Sequence, residues 1–122
     1  MDLQLSYEHV SDFVTVVTVD GAVDVCSAAK VRNLLVDLVS HGRVFLVLDL
    51  SMLDWADSTG FGVVVGGLRG VRRYGGGMAL VVTHERIAKL FQIQGLTRVF
   101  PIFDLVDPAV ESLSREVPGL NG

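Results

Sequence analysis

A single cysteine, Cys26, leaves the chain with no internal disulfide and fits a reducing compartment. With no second cysteine to resolve it, Cys26 reads as a small packed residue rather than a redox centre. Lysine is scarce: of ten lysines and arginines, only Lys30 and Lys89 are lysines, and the bases form no tail or stripe. With a net charge of -4, this disfavours nucleic acid as a partner, because neutralising phosphates takes clustered cations. No apolar run is long enough to cross a bilayer. Met1-Asp2-Leu3-Gln4 lacks the basic start and apolar core of a signal peptide. The expectation is a cytoplasmic protein with no membrane partner.

What the chain does have is apolar bulk. Half of its 122 residues are hydrophobic and a fifth are charged, enough to bury a core in one domain. The expected domain is 1–122, with a core over about 3–115 and a loose tail from Pro118.

Period and turn chemistry divide the chain. Phe13 to Val19 is β-branched and reads as a strand, with Leu3 to Val10 as its hairpin partner and Asp20-Gly21 as its terminating turn. Val23 to His41 carries Val31, Leu34, Leu35, Leu38 and Val39 at helical spacing. Asp24 or Ser27 can cap its start and Gly42 its end. Val44 to Leu48 is apolar without alternation, as in a strand covered on both faces. Ser51 to Ala56 reads as a loop whose Met52, Leu53 and Trp55 cover the sheet end. A helix over Phe61 to Tyr74 follows, with Gly66, Gly67 and Gly70 inside it as sites of close packing. Gly75-Gly76-Gly77 ends it. Met78 to Val82 is a second covered strand. Thr83 is the expected cap of a short helix through Ile87, Leu90 and Phe91, closed by Gly95. Val99 to Phe103 is demoted to an edge strand by Pro101. Asp107-Pro108 opens a last helix with Pro at its first position. The order ββαβαβαβα predicts an α/β domain: a mixed, mostly parallel sheet packed with about four helices.

The stretch Asp57-Ser58-Thr59-Gly60-Phe61-Gly62 stands between a covered strand and a helix. α/β sheets place ligands and partners at such strand ends. Ser58 or Thr59 as a helix cap explains part of it. A dinucleotide loop fits poorly: Gly60, Gly62 and Gly66 have the wrong spacing, and Asp57 would repel a pyrophosphate. A hydrolase elbow at Ala56-x-Ser58-x-Gly60 lacks an acid between Thr59 and Thr83 to precede His84 in the triad order. A receiver-type phosphoaspartate site lacks its acid pair and late lysine. No catalytic residue, metal site or cofactor is expected. A hydroxyl in the first helical turn remains, open to a kinase and able to switch a partner surface by gaining about -1.5 to -2 charge. Asp54 and Asp57 would add to that charge. Gly60 and Gly62 would let a partner backbone approach.

These residues resemble the STAS domain family, specifically its stand-alone bacterial anti-sigma factor antagonists, over roughly Leu3 to Leu113. The likeness rests on Gly21-Ala22-Val23-Asp24, Leu48-Asp49-Leu50, Asp57-Ser58-Thr59-Gly60-Phe61-Gly62-Val63, the Gly75-Gly76 turn, and Leu90-Phe91 followed by Gly95-Leu96. The resemblance implies a non-enzymatic partner switch. The unphosphorylated protein binds an anti-sigma factor that is also a GHKL-type serine kinase, and so frees a sigma factor. Phosphorylation of Ser58 ends binding, and a PP2C-type phosphatase resets it. Ser58 is the implied phosphoacceptor, with Thr59 as a second hydroxyl. Asp24, Asp57, Ser58, Thr59, Gly60 and Gly62 are the implied partner surface. Ala22 stands where the family usually has Glu. The alternative is a STAS module that binds a nucleotide or small ligand, or serves a stressosome-like scaffold.

Overall fold

The computed structural model describes residues 2–119. Strands β1 (Gln4–His9) and β2 (Val14–Val23) form the antiparallel hairpin. Helix α1 (Ala28–Ser40) leads to β3 (Phe45–Asp49) and β4 (Leu53–Ala56). Helix α2 (Ser58–Arg73) leads to β5 (Gly77–Val81), and α3 (Glu85–Ile93) is followed by a 3-10 turn at Leu96–Arg98. The two-residue β6 (Ile102–Phe103) and α4 (Val106–Ser114) complete the described elements. The sheet runs β1-β2-β3-β5-β6, with every pairing after the hairpin parallel and β4 attached to β2. This is the mixed, mostly parallel sheet that the element order predicts.

The covered strands explain the two layers. Along β3, Leu46 and Leu48 join a core with α1, α2 and α3 residues such as Val31, Leu35, Leu68 and Phe91. Phe45 and Val47 point the other way and meet Ala109, Leu113 and Val117. A strand residue alternates faces, so a run with no polar break needs helices on both sides. That is how α4 comes to lie alone opposite the other three helices.

Several local expectations change. Residues 51–56 are not all loop: Leu53–Ala56 pairs with Gly21–Val23 of β2 in parallel. β2 therefore does not end at Asp20-Gly21. Its first half pairs with β3, its second half with β4, and the register shifts between Gly21 and Ala22. Gly21 has φ +113°, and a Cβ there would lie 2.2 Å from the Asp2 carbonyl oxygen. Glycine thus keeps this bend inside the strand instead of ending it. His84, not Thr83, stands at the N-cap position of α3, without a side-chain cap bond, and Pro108 is the third residue of α4, whose first is Val106. Only residues 102–103 of the expected edge strand pair, because Val99 N–H and Phe100 N–H both return to the Leu96 carbonyl. Cys26 is exposed rather than packed. The expected loose tail from Pro118 extends over 120–122, outside the described residues.

Candidate functional site

The site forms where β2 and β4 end side by side. Asp57 follows β4 directly and has extended backbone (φ -96°, ψ -174°), as a helix N-cap requires. Its Oδ1 accepts from Gly60 N–H at 3.0 Å, closing the first turn of α2. Its Oδ2 accepts from Val25 N–H at 3.2 Å, in the loop after β2. Its own N–H donates to the Val23 carbonyl at 3.2 Å. One carboxylate thus starts a helix and ties two loops together. Asp57, not Ser58 or Thr59, is the cap.

Ser58 is therefore the first helical residue, and both Ser58 and Thr59 are exposed. Among the described residues no side-chain hydrogen bond engages either hydroxyl. His9 lies 2.8 Å from Thr15 Oγ1 and His41 bonds back to its own helix, while no hydrogen bond joins any histidine to Ser58.

Asp24 sits in the loop that Asp57 holds. Its Oδ1 accepts from Cys26 N–H and Ser27 N–H, each at 2.9 Å. The Ser27 hydroxyl lies between Asp24 Oδ1 (3.1 Å) and the Ala22 carbonyl (3.0 Å). The Ser27 backbone bond, foremost, holds the Asp24 carboxyl below its ordinary 3.8. The side chain thus builds the turn that starts α1, with Ser27 at the N-cap position but making no cap bond of its own. Its outer oxygen has no hydrogen-bond partner among the described residues.

The two glycines of the motif part company. A Cβ on Gly60 would lie 2.8 Å from the Val23 carbonyl oxygen, so Gly60 is buried in the joint between α2 and β2. The expected partner access at Gly60 gives way to this packing. A Cβ on Gly62 would meet nothing within 4 Å. Gly66 and Gly70 are equally open, while Gly67 alone packs closely, 2.8 Å from Leu35 Cδ1 and 3.0 Å from Met78 Cε. Close packing inside the fold therefore accounts for one of the three mid-helix glycines.

In the two segments that meet at Asp57, large apolar side chains are exposed where a folded chain usually hides such groups. Val25, Met52 and Trp55 are all exposed, Trp55 at 44%. Of the three residues expected to cover the sheet end, Leu53 is buried while Met52 and Trp55 are exposed. Arg86 from α3 donates to the Asp54 carbonyl at 2.6 Å, fixing the outer edge of β4 beside the patch. Among the described residues no group of three or more His, Cys, Asp or Glu could hold a metal ion. No described helix is long and apolar enough to cross a membrane.

Known proteins are similar to this chain in sequence and in fold. The anti-sigma-B factor antagonist of Bacillus subtilis is 38% identical over 86 residues, 70% of this chain and 78% of its own length. In fold, the crystal structure of an anti-sigma factor antagonist from Mycobacterium paratuberculosis superposes with a TM-score of 0.79 at 23% identity, covering 92% of this chain and 94% of that one. The Bacillus cell fate determinant SpoIIAA, solved in a phosphorylated form, does so with a TM-score of 0.70 at 22% identity, covering 91% and 98%. The STAS domain profile matches residues 4–109, and on that match together with the Bacillus subtilis relative, this chain belongs to the STAS domain family.

Proposed function

We propose that this protein is an anti-sigma factor antagonist whose unphosphorylated form binds an anti-sigma factor with GHKL-type serine kinase activity. Binding releases a sigma factor, phosphorylation of Ser58 ends the binding, and a PP2C-type phosphatase restores it. The observation that carries this reading is the Ser58 hydroxyl itself. It is exposed, engaged in no side-chain hydrogen bond among the described residues, and placed at the first position of α2 inside a STAS frame. The relatives named anti-sigma factor antagonists support the partner class.

The surroundings suit a binding surface. Val25 and Trp55 offer an exposed apolar rim in the two segments that meet at Asp57, and aromatic anchors of this kind dominate interface energies. Asp57 and Asp24 hold the two loops of that rim in place. A phosphate on Ser58 would add about -1.5 to -2 charge beside Asp57, repelling an acidic partner face and costing desolvation. The helix start would meanwhile accommodate the phosphate, through its free N–H groups and dipole.

The test is phosphate mapping. The protein is incubated with the purified GHKL-type anti-sigma kinases of the producing organism and ATP, and the modified residue is located by mass spectrometry. The expected result is one phosphate on Ser58, none on Ser58→Ala, and loss of kinase binding by Ser58→Asp. Full phosphorylation of Ser58→Ala would overturn the assignment.

A further inference from the structure

Beyond Ser58, a groove of about 830 Å³ runs between α1 and α2, starting at Thr59 and reaching Arg73 and Tyr74. Its mouth is one residue from Ser58. Its α2 wall is made by Gly62, Gly66 and Gly70, one turn apart, each with open space where a Cβ would stand. Glycine inside a helix lowers stability relative to alanine, and nothing within the fold occupies the space that alanine would fill. What the three glycines provide is bare helix backbone along an i, i+4, i+8 row. Rows of that spacing receive the matching ridge of another helix, and small residues let the axes come close. From Thr59 to Arg73 the row is roughly 21 Å long at 1.5 Å per residue, about four helical turns.

Charge selects the occupant. Arg32 and Arg73 line the groove, and no carboxylate does. Neither guanidinium has a hydrogen bond or ion pair among the described residues. A second copy docked groove on groove would bring the same two arginines, Arg32 and Arg73, and no lining carboxylate to face them. An acidic helix meets no such conflict.

We infer that the α1/α2 groove receives an amphipathic helix of the anti-sigma partner, with a small or aliphatic ridge against the glycine row and acidic side chains facing Arg32 and Arg73. This rests on the function proposed above and deepens it. It also gives the switch a physical reader: an acidic helix held at Thr59 lies where a phosphate on Ser58 repels it.

The purified kinase that phosphorylates the protein is titrated against the full chain and against Gly66→Leu, Arg73→Glu and Ser58→Asp, by calorimetry and with size measurement by light scattering. Gly66→Leu fills the groove and points away from the core. Arg73→Glu leaves the groove's shape intact and guards against a folding artefact. Each is expected to weaken binding at least tenfold, with melting temperature unchanged or raised. If both bind as wild type does while Ser58→Asp loses affinity, the groove inference is wrong and the switch stands. If the variants only abolish a dimer of this chain, the occupant is a second copy and the inference is likewise wrong. If no kinase binds or phosphorylates the wild type, the proposed function fails and the groove inference goes with it.

Discussion

Replacing Asp57 by alanine tests how the candidate site is built. The substitution removes two hydrogen bonds that reach different elements, to Gly60 N–H at 3.0 Å and Val25 N–H at 3.2 Å. Loss of an N-cap costs about 1 kcal/mol. A hydrogen bond to a charged acceptor contributes about 1.5–3 kcal/mol, and for the longer, solvent-facing Val25 bond about 1 kcal/mol is the better figure. The expected loss is therefore about 2 kcal/mol. For 122 residues, at roughly 2.1 cal/mol/K each, the unfolding entropy is about 0.26 kcal/mol/K, so the melting temperature should fall by about 8 °C. Asp57→Asn separates the two bonds. Its amide oxygen can still cap Gly60, but its NH2 cannot accept from Val25, so about half of the loss remains. Urea unfolding followed by Trp55, the sole tryptophan, reports from the adjacent strand. The Val25 amide should exchange faster in both variants and the Gly60 amide only in Asp57→Ala. An Asp57→Ala variant within about 0.5 kcal/mol of wild type, well inside the range of ordinary surface substitutions, would refute the bridging role. So would Asp57→Asn as costly as Asp57→Ala.

Two further outcomes follow from the polar contacts. The Arg43 guanidinium donates to the carbonyls of Ser11, Asp12 and Val14 and to the hydroxyl of the fully buried Thr15. Arg43→Ala should destabilise by about 2–4 kcal/mol in urea unfolding, with Arg43→Lys recovering only part, because an ammonium cannot span the same fork of acceptors. Asp24 has a folded-state pKa lowered by the Ser27 and Cys26 N–H groups. Its contribution is present above its unfolded value near 3.8 and is lost as pH falls through the lower folded value. Stability curves of wild type and Asp24→Asn should therefore converge on acidification below about pH 4; parallel curves down to pH 2 would count against the turn's charge dependence.

Much of the fold was legible because each of its strong signals has one solution. Val44 to Leu48 has no polar face, so helices had to cover both sides, and they do. The stripe from Val31 to Val39 fits only a helix. What escaped were features set by pairing across distance. Leu53-Asp54-Trp55-Ala56 has neither length nor alternation to announce a strand, and it becomes one because β2 continues past β3 and offers it a partner. Cap identities at Asp57 and His84 also escaped, because Ser58, Thr59 and Thr83 are equally good capping residues and backbone geometry chose between them. The motif's Asp57 does reach the loop that carries Asp24, since Val25 N–H donates to Asp57 Oδ2. The motif could not separate Gly60 from Gly62. Both read as small, and only the Val23 carbonyl beneath Gly60 tells a packing glycine from an open one.

That separation bears on how a switch at Ser58 can act. If Ser58 were the cap, phosphorylation would remove a bond that starts α2, and the signal would be partial unfolding of the helix. Asp57 holds the cap through one oxygen and the neighbouring loop through the other, so Ser58 contributes nothing the helix needs. Gly60 locks the same turn onto β2 from beneath. A phosphate added at the first helical position therefore meets a backbone already fixed on two sides and favoured by the helix dipole. Little structural change is required, and the new charge is expressed outward, across the rim of Val25 and Trp55 and into the groove that opens at Thr59. Under the proposed function, the rigidity of this turn is what directs the phosphate's effect to the partner rather than to the fold.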